Sequence, residues 1–241
     1  MKALALADRN RKEAVRNPMS LALTLALPAA LLLVLASIGG DDSDTLNATF
    51  LTPGVALFGF VMVMFTSAML LARDRETALF ARLLTAPLRA SDLGFAYALP
   101  SLLVAAAQAV VVFAIGAAMG MEFAGNAAYV VAVLFVVAVL DVALGVVAGA
   151  LLSVNATAGA YTAVLLVTIF GGAWFDLDEV GGPVRTVSDL LPFSHALDAL
   201  RTVIADGGGI GDIAGDLAWA VGYAVAAVIA AVVAMRHRMV E

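Results

Sequence analysis

Six long apolar runs dominate the chain, at residues 19–38, 53–72, 93–119, 127–152, 156–175 and 217–235, and polar residues collect between them. A helix rises about 1.5 Å per residue and the hydrocarbon layer of a bilayer is about 30 Å thick, so roughly 20 apolar residues make one crossing. Each run meets that length. None alternates polar with apolar positions as the strands of a membrane barrel do. The pattern predicts an all-α membrane protein with six transmembrane helices in a single transmembrane domain, residues 1–241. The first run closes on Leu35-Ala36-Ser37, which has the small residues of a signal-peptide cleavage site. Its apolar part is longer than the usual 7–15 residues and residues 1–18 precede it, so the segment is expected to be retained.

Three of the intervening segments carry more pattern than a turn needs. The arm 1–18 mixes Leu4, Leu6, Ala14 and Val15 with five basic residues, Lys2, Arg9, Arg11, Lys12 and Arg16, and ends at the Asn17-Pro18 step. It reads as a helix lying at the membrane interface, or as a basic flank that only fixes orientation. The loop 73–92 exceeds the usual helix–helix connection of about 2–8 residues. On a helical period Leu79, Phe80, Leu83 and Leu84 share one arc, Ala78, Ala81, Arg82 and Thr85 the other, and Pro87 stops the helix. Such a helix can seat in a groove on a partner or rest on lipid headgroups. In the segment 176–216, Ser194 can cap a helix whose apolar positions Leu197, Leu200 and Ile204 face the bundle, with Asp198 and Arg201 opposite and spaced to pair. Gly181-Gly182-Pro183 and Gly207-Gly208-Gly209 flank it, so one or two short re-entrant helices are expected there.

Charge orients the bundle. Lys2, Arg9, Arg11, Lys12, Arg16, Arg73, Arg75, Arg82, Arg89, Arg236 and Arg238 fall on one side of a six-span layout, leaving Arg185 and Arg201 on the other, which is rich in carboxylates. The excess of basic residues marks the cytoplasmic face, so both termini, the arm and the loop 73–92 are expected in the cytoplasm, the segment 176–216 outside, and the chain in the plasma membrane. Composition agrees: 63% hydrophobic and 13% charged residues with a mean hydropathy of +1.03 are too apolar for a soluble domain of this size. No cysteine is present, which removes disulfides, thiolate nucleophiles and cysteine-bound metals, and the net charge of −6 argues against a nucleic-acid partner.

Polar residues within the spans are candidates for a substrate pathway. Asp141 is the carboxylate deepest in a span, where a charge costs about 2.5–3.5 kcal/mol on insertion scales unless it is neutralised, paired or wet. Gln108 and Tyr161 are weaker candidates. Gly145 with Gly149 and Gly116 with Gly120 have the spacing that lets helices approach closely. His195 has no second ligand at metal spacing, and nothing resembles a catalytic triad or paired carboxylates.

Arg16-Asn17-Pro18, Arg75-Glu76 followed by Leu83-Leu84-Thr85-Ala86-Pro87, and the run from Leu191 to Arg201 (Leu-Pro-Phe-Ser-His-Ala-Leu-Asp-Ala-Leu-Arg) occur in the order seen in type-2 ATP-binding-cassette exporter permeases. With six spans and both ends inside, nearly the whole chain resembles that family of nodulation-factor, daunorubicin-resistance and polysaccharide exporters. It departs from it at Ala78-Leu79-Phe80-Ala81, where the family has Gly-Thr-Leu-Glu, and near Phe95, where a basic residue is usual. The resemblance implies a permease that dimerises with a second copy or paralogue and docks an ATPase subunit through a coupling helix containing Arg75, Glu76, Leu79, Phe80, Arg82, Leu83, Leu84 and Pro87. It further implies that ATP and Mg bind the partner, the chain itself binding no cofactor and catalysing no reaction, and that Ser194, His195, Asp198 and Arg201 lie on the outer re-entrant helix. The chain has no G-x-x-x-x-G-K-[ST] of its own. A cargo that is amphipathic, lipid-like or drug-like is expected. An ion-coupled secondary transporter using Asp141 is the competing reading, though internal repeats are not evident.

Overall fold

A computed structural model of the chain describes residues 2–16, 18–39, 45–77, 80 and 89–238. The described elements are helices: α1 (Lys2–Arg16), α2 (Pro18–Gly39), α3 (Ala48–Arg75), α4 (Ala90–Ala118), α5 (Ala127–Leu151), α6 (Val154–Phe170), α7 (Leu177–Val180), α8 (Gly182–Ser188), α9 (Pro192–Ile204) and α10 (Ile210–Arg238). Five helices are long and apolar enough to cross a bilayer, within α2, α3, α4, α5 and α10. The helix α6, at 17 residues, is shorter than the roughly 20 a full crossing takes.

Local chemistry sets the ends. Asn47 accepts from the Phe50 amide at 2.9 Å to start α3 and Asn126 from Ala128 at 2.9 Å to start α5, and Ser153 caps α6 through Ala156 at 3.3 Å. The helix α3 therefore begins five residues before the expected 53, with Pro53 inside its early turns. The helix α10 begins at Ile210 rather than 217, because Asp212 accepts from the Gly209 amide at 2.8 Å and acidic groups suit the positive end of a helix. The fifth run stops as a helix at Phe170, not 175. Gly171 and Gly172 turn the chain there, Gly172 at φ +89°, and the carbonyls of Phe170 and Gly172 are taken by Ser188 and Arg201 at 2.6 and 2.9 Å.

The helix α3 is the centre of the bundle, packed by α2, α4, α5 and α6, while α10 packs along α5. Small residues let α5 close on α3: a methyl group on Gly145 would stand 2.7 Å from the Met64 carbonyl oxygen, and one on Gly149 2.7 Å from that of Ala68. The second expected glycine pair does not act as a pair. Gly116 abuts Thr52, but Gly120 sits in open space at φ +89° and serves the turn after α4. Large apolar side chains remain exposed along α2, α4, α5 and α10, which is the surface a bilayer would cover.

Candidate functional site

The two ends of the bundle differ in chemistry. At one end α1 lies across the start of α4 and the close of α3. The chain dictates the dock: Pro100 has no amide proton for the Ala96 carbonyl, and Asn10, buried on α1, donates its side-chain amide to that oxygen at 3.1 Å. Beside it Arg9 donates to both oxygens of the buried Asp74, at 2.7 and 3.3 Å, and the Tyr97 hydroxyl donates to Asp74 at 2.7 Å. The Asp74 hydrogen bond holds the Arg9 guanidinium above its ordinary pKa. Arg9 also pairs with Glu13 at 2.7 Å, while Arg11 and Lys12 hold the exposed carboxyl of Asp8 below its ordinary range.

The same end closes α5. An α-helix leaves its last carbonyls without intrahelical donors. Arg75 donates to Gly149 and Leu152 oxygens at 2.8 and 2.9 Å, and Arg238 to Ala150 at 2.9 Å, so guanidinium groups from the tails of α3 and α10 meet the negative pole of α5. Among the described residues, five other arginines of this end, Arg11, Arg16, Arg73, Arg89 and Arg236, are exposed. Sequence alone did not separate these inward and outward groups.

Of the residues expected to couple to an ATPase, Arg75 is thus committed to helix carbonyls, Glu76 is exposed just past the end of α3, and Phe80 is packed into the core at 6% exposure. Leu79, Arg82, Leu83, Leu84 and Pro87 lie outside the described residues.

Between α1, α2, α3 and α4 runs a groove of about 410 Å³, with Arg73 and Glu13 among its charged residues and Met19, Leu23, Leu70 and Val104 among its apolar ones. Thr24, Thr66, Ser67 and Ser101 add hydroxyls, and the Ser67 hydroxyl is buried without a hydrogen-bond partner. Sequence reasoning did not find this groove, because its polar groups come from four helices and form no motif.

The three expected pathway residues do not line it. Asp141 and Gln108 are fully buried, and neither carboxylate nor carboxamide has a hydrogen-bond partner. Gln108 fills the notch left by Gly59, where a methyl group would stand 1.9 Å from its amide nitrogen. Gly145, one turn beyond Asp141, backs onto Met64, one turn beyond Phe60. The two orphan groups therefore lie at one level, on separate flanks of the middle of α3. Tyr161 is half-buried, its hydroxyl 3.5 Å from the Met62 sulfur and its ring 4.9 Å from Phe65.

At the opposite end α7, α8 and α9 form a layer over the bundle. The helix α9 starts at Pro192 with Leu191 as its cap, so Ser194 is not the cap residue. Its hydroxyl donates back to the Ser188 and Leu191 carbonyls instead, the latter at 2.9 Å, and ties α9 to α8. Asp198 and Arg201 do not pair either. Asp198 takes Arg185 at 3.2 Å, whereas Arg201 turns inward, donates to Gly172 and covers the Phe50 ring at 3.7 Å. Burial pushes the Arg201 guanidinium down to about 10 and the Asp198 carboxyl up. His195 contacts Asp216 and the Asp189 carbonyl, at 2.7 and 2.8 Å.

An all-helical bundle with long lipid-compatible helices, one arginine-capped end and one layered end defines a multi-pass membrane protein. The family model of the ABC-2 type transporter matches residues 1–205, which carry α1 to α9, and the chain belongs to that family. It is therefore a permease component of an ABC transporter. Among curated proteins no relative matches the chain.

Proposed function

We propose that the chain is the membrane subunit of an ATP-driven exporter, with six crossings in one domain, residues 1–241, and its arginine-rich end in the cytoplasm of the plasma membrane. The observation that carries this reading is the chemistry of that end. Arg73 and Arg89, at the two ends of the 73–92 loop, are exposed, and Arg75 and Phe80 anchor its base to the bundle. The loop then presents Glu76, Leu79, Arg82, Leu83, Leu84 and Pro87 to an ABC ATPase subunit that binds ATP and Mg. The helix α6 serves as the fifth crossing: it follows α5 directly at the arginine-capped end, and its last carbonyl meets Ser188 at the other. Of its side chains only Thr157 and Thr168 are buried, which leaves a face for a second copy or paralogue.

ATP binding draws the ATPase subunits together, and rigid-body movement through the loop shifts the bundle between inward and outward openings. Domain layers packed this tightly switch between discrete arrangements rather than flexing. The groove beside α1 suits an amphipathic, lipid-like or drug-like cargo, its polar group near Arg73 and its apolar part along Met19, Leu23 and Leu70. Asp141 and Gln108 are the candidate polar groups of a pathway that opens in the other state, with Tyr161 at its side. Asp141 as an ion-coupling site is the weaker reading, since the family is driven by a partner ATPase.

Purification of the chain in mild detergent tests the proposal. Wild type brings an ATPase subunit with Mg-dependent ATP hydrolysis, and Leu83→Asp abolishes the association while the bundle stays folded. A wild-type preparation with no associated ATPase would overturn it.

A further inference from the structure

We infer that His195 and Asp216 form a protonation-gated latch that clamps the α7–α9 layer onto α10. The imidazole makes two short contacts, Nδ1 to Asp216 Oδ1 at 2.7 Å and Nε2 to the Asp189 backbone oxygen at 2.8 Å. A backbone carbonyl only accepts, and so does an ionised carboxylate, while a neutral imidazole carries a single N–H. Satisfying both contacts requires one further proton on the pair. It sits on the ring as imidazolium, or on Asp216 as a carboxylic acid donating to Nδ1 with Nε2–H donating to Asp189. Either way, loss of that proton sets two acceptors face to face and one contact must open.

The surroundings make this a latch rather than a loose surface pair. The ring stacks on Trp219 of α10 at 5.3 Å with planes 2° apart, Trp219 neighbours Tyr223 at 6.1 Å, and the Tyr223 hydroxyl donates to the Leu190 carbonyl at 2.6 Å. The ring is therefore fixed between the turn after α8 and the first turns of α10. The side chains of His195 and Asp216 remain 15% and 31% exposed, so the proton exchanges with solvent. The charged groups nearby are few. Asp189 and Asp198 both hold Arg185, at 3.0 and 3.2 Å, Asp198 also feels the charge of Asp216, and Arg201 turns away to Gly172. Histidine is the side chain whose charge ordinarily changes between pH 5 and 8. The layer is thus held on α10 in acid and released from it in alkali. That it senses external pH rests on the proposed orientation; the latch itself does not.

The test uses purified full-length protein and two readouts. The chain has two tryptophans, so Trp174→Phe leaves Trp219 as the reporter. A protonated imidazole stacked on indole quenches its fluorescence, so emission rises through a single-proton transition as the pH is raised, and adding His195→Gln removes that transition. Amide exchange over residues 189–204, corrected for intrinsic rates, slows in acid in wild type. It loses this pH dependence in His195→Gln, and Asp216→Asn weakens the acid-side protection. A flat Trp219 titration in a folded protein, a transition that survives His195→Gln, or exchange independent of pH would overturn the inference. Association of the ATPase subunit reads the functional proposal separately and does not move with any of these outcomes.

Discussion

Arg9 grips both oxygens of Asp74 across 65 residues of chain, at 2.7 and 3.3 Å, and this fork joins α1 to α3, the central helix of the bundle. Asp74 is buried and its partner partly exposed, so removing the guanidinium strands a desolvated carboxylate. Arg9→Ala and Asp74→Asn should each lower the thermal midpoint in detergent. A double-mutant cycle with Asp74→Ala should give a coupling of about 1–3 kcal/mol. Tyr97→Phe removes one hydrogen bond and should cost about 1 kcal/mol. Additive effects of Arg9 and Asp74 would show that this ion pair does not hold α1 to the bundle.

The arginine caps on α5 make a second expectation. Arg75→Ala and Arg238→Ala each strip donors from carbonyls at the end of a long helix and should cost about 1 kcal/mol apiece. Arg75→Lys keeps a charge near the helix pole and should recover part of the loss. Unchanged melting in both alanine variants would remove the capping role and return Arg75 to the motor contact expected from its motif.

Backbone contact between α3 and α5 is tested by a pair of glycines. Gly145→Val puts side-chain atoms against the Met64 carbonyl and should destabilise by at least about 1–3 kcal/mol. Gly159→Ala on α6 meets nothing within 4 Å and should be neutral or slightly stabilising in the isolated subunit. Equal melting of both variants would contradict the packing described.

Much of this was legible because the bilayer imposes a strict length on apolar runs: five of the six runs fall in α2, α3, α4, α5 and α10, each long enough to cross, while the fifth run forms the shorter α6, with ends displaced where a cap or a glycine pair decided them. Asn47 caps α3 and Asp212, in the first turn of α10, holds the Gly209 amide before it; both depend on backbone geometry that a hydropathy pattern does not record. The site was less legible. Asp198 and Arg201 have helical spacing for a pair, yet Arg185 and the Gly172 carbonyl compete for them from elements distant in sequence. Ser194 looked like a cap because capping residues and buried serines share the same chemistry; Pro192 set the helix start instead. The Arg9–Asp74 fork and the shared level of Gln108 and Asp141 are tertiary facts with no local signature.

Asp141 and Gln108 separate stability from function. Each is buried with unmet polar atoms, an arrangement that costs free energy in this conformation. Asp141→Leu should keep or raise the thermal midpoint while reducing ATP-dependent transport in vesicles. A variant that transports normally would make Asp141 a packing residue; one that fails to fold would show that the carboxylate has a structural partner.

The central claim is that the arginine-rich end is where the energy of ATP enters, and its most direct measurement is the side of the membrane on which that end lies. The chain lacks cysteine, so single thiols report without background. Thr77→Cys, exposed beyond the end of α3, should resist a membrane-impermeant maleimide in intact cells and react in inside-out vesicles, and Asp206→Cys after α9 should do the reverse. Labelling of residue 77 in intact cells would contradict the account.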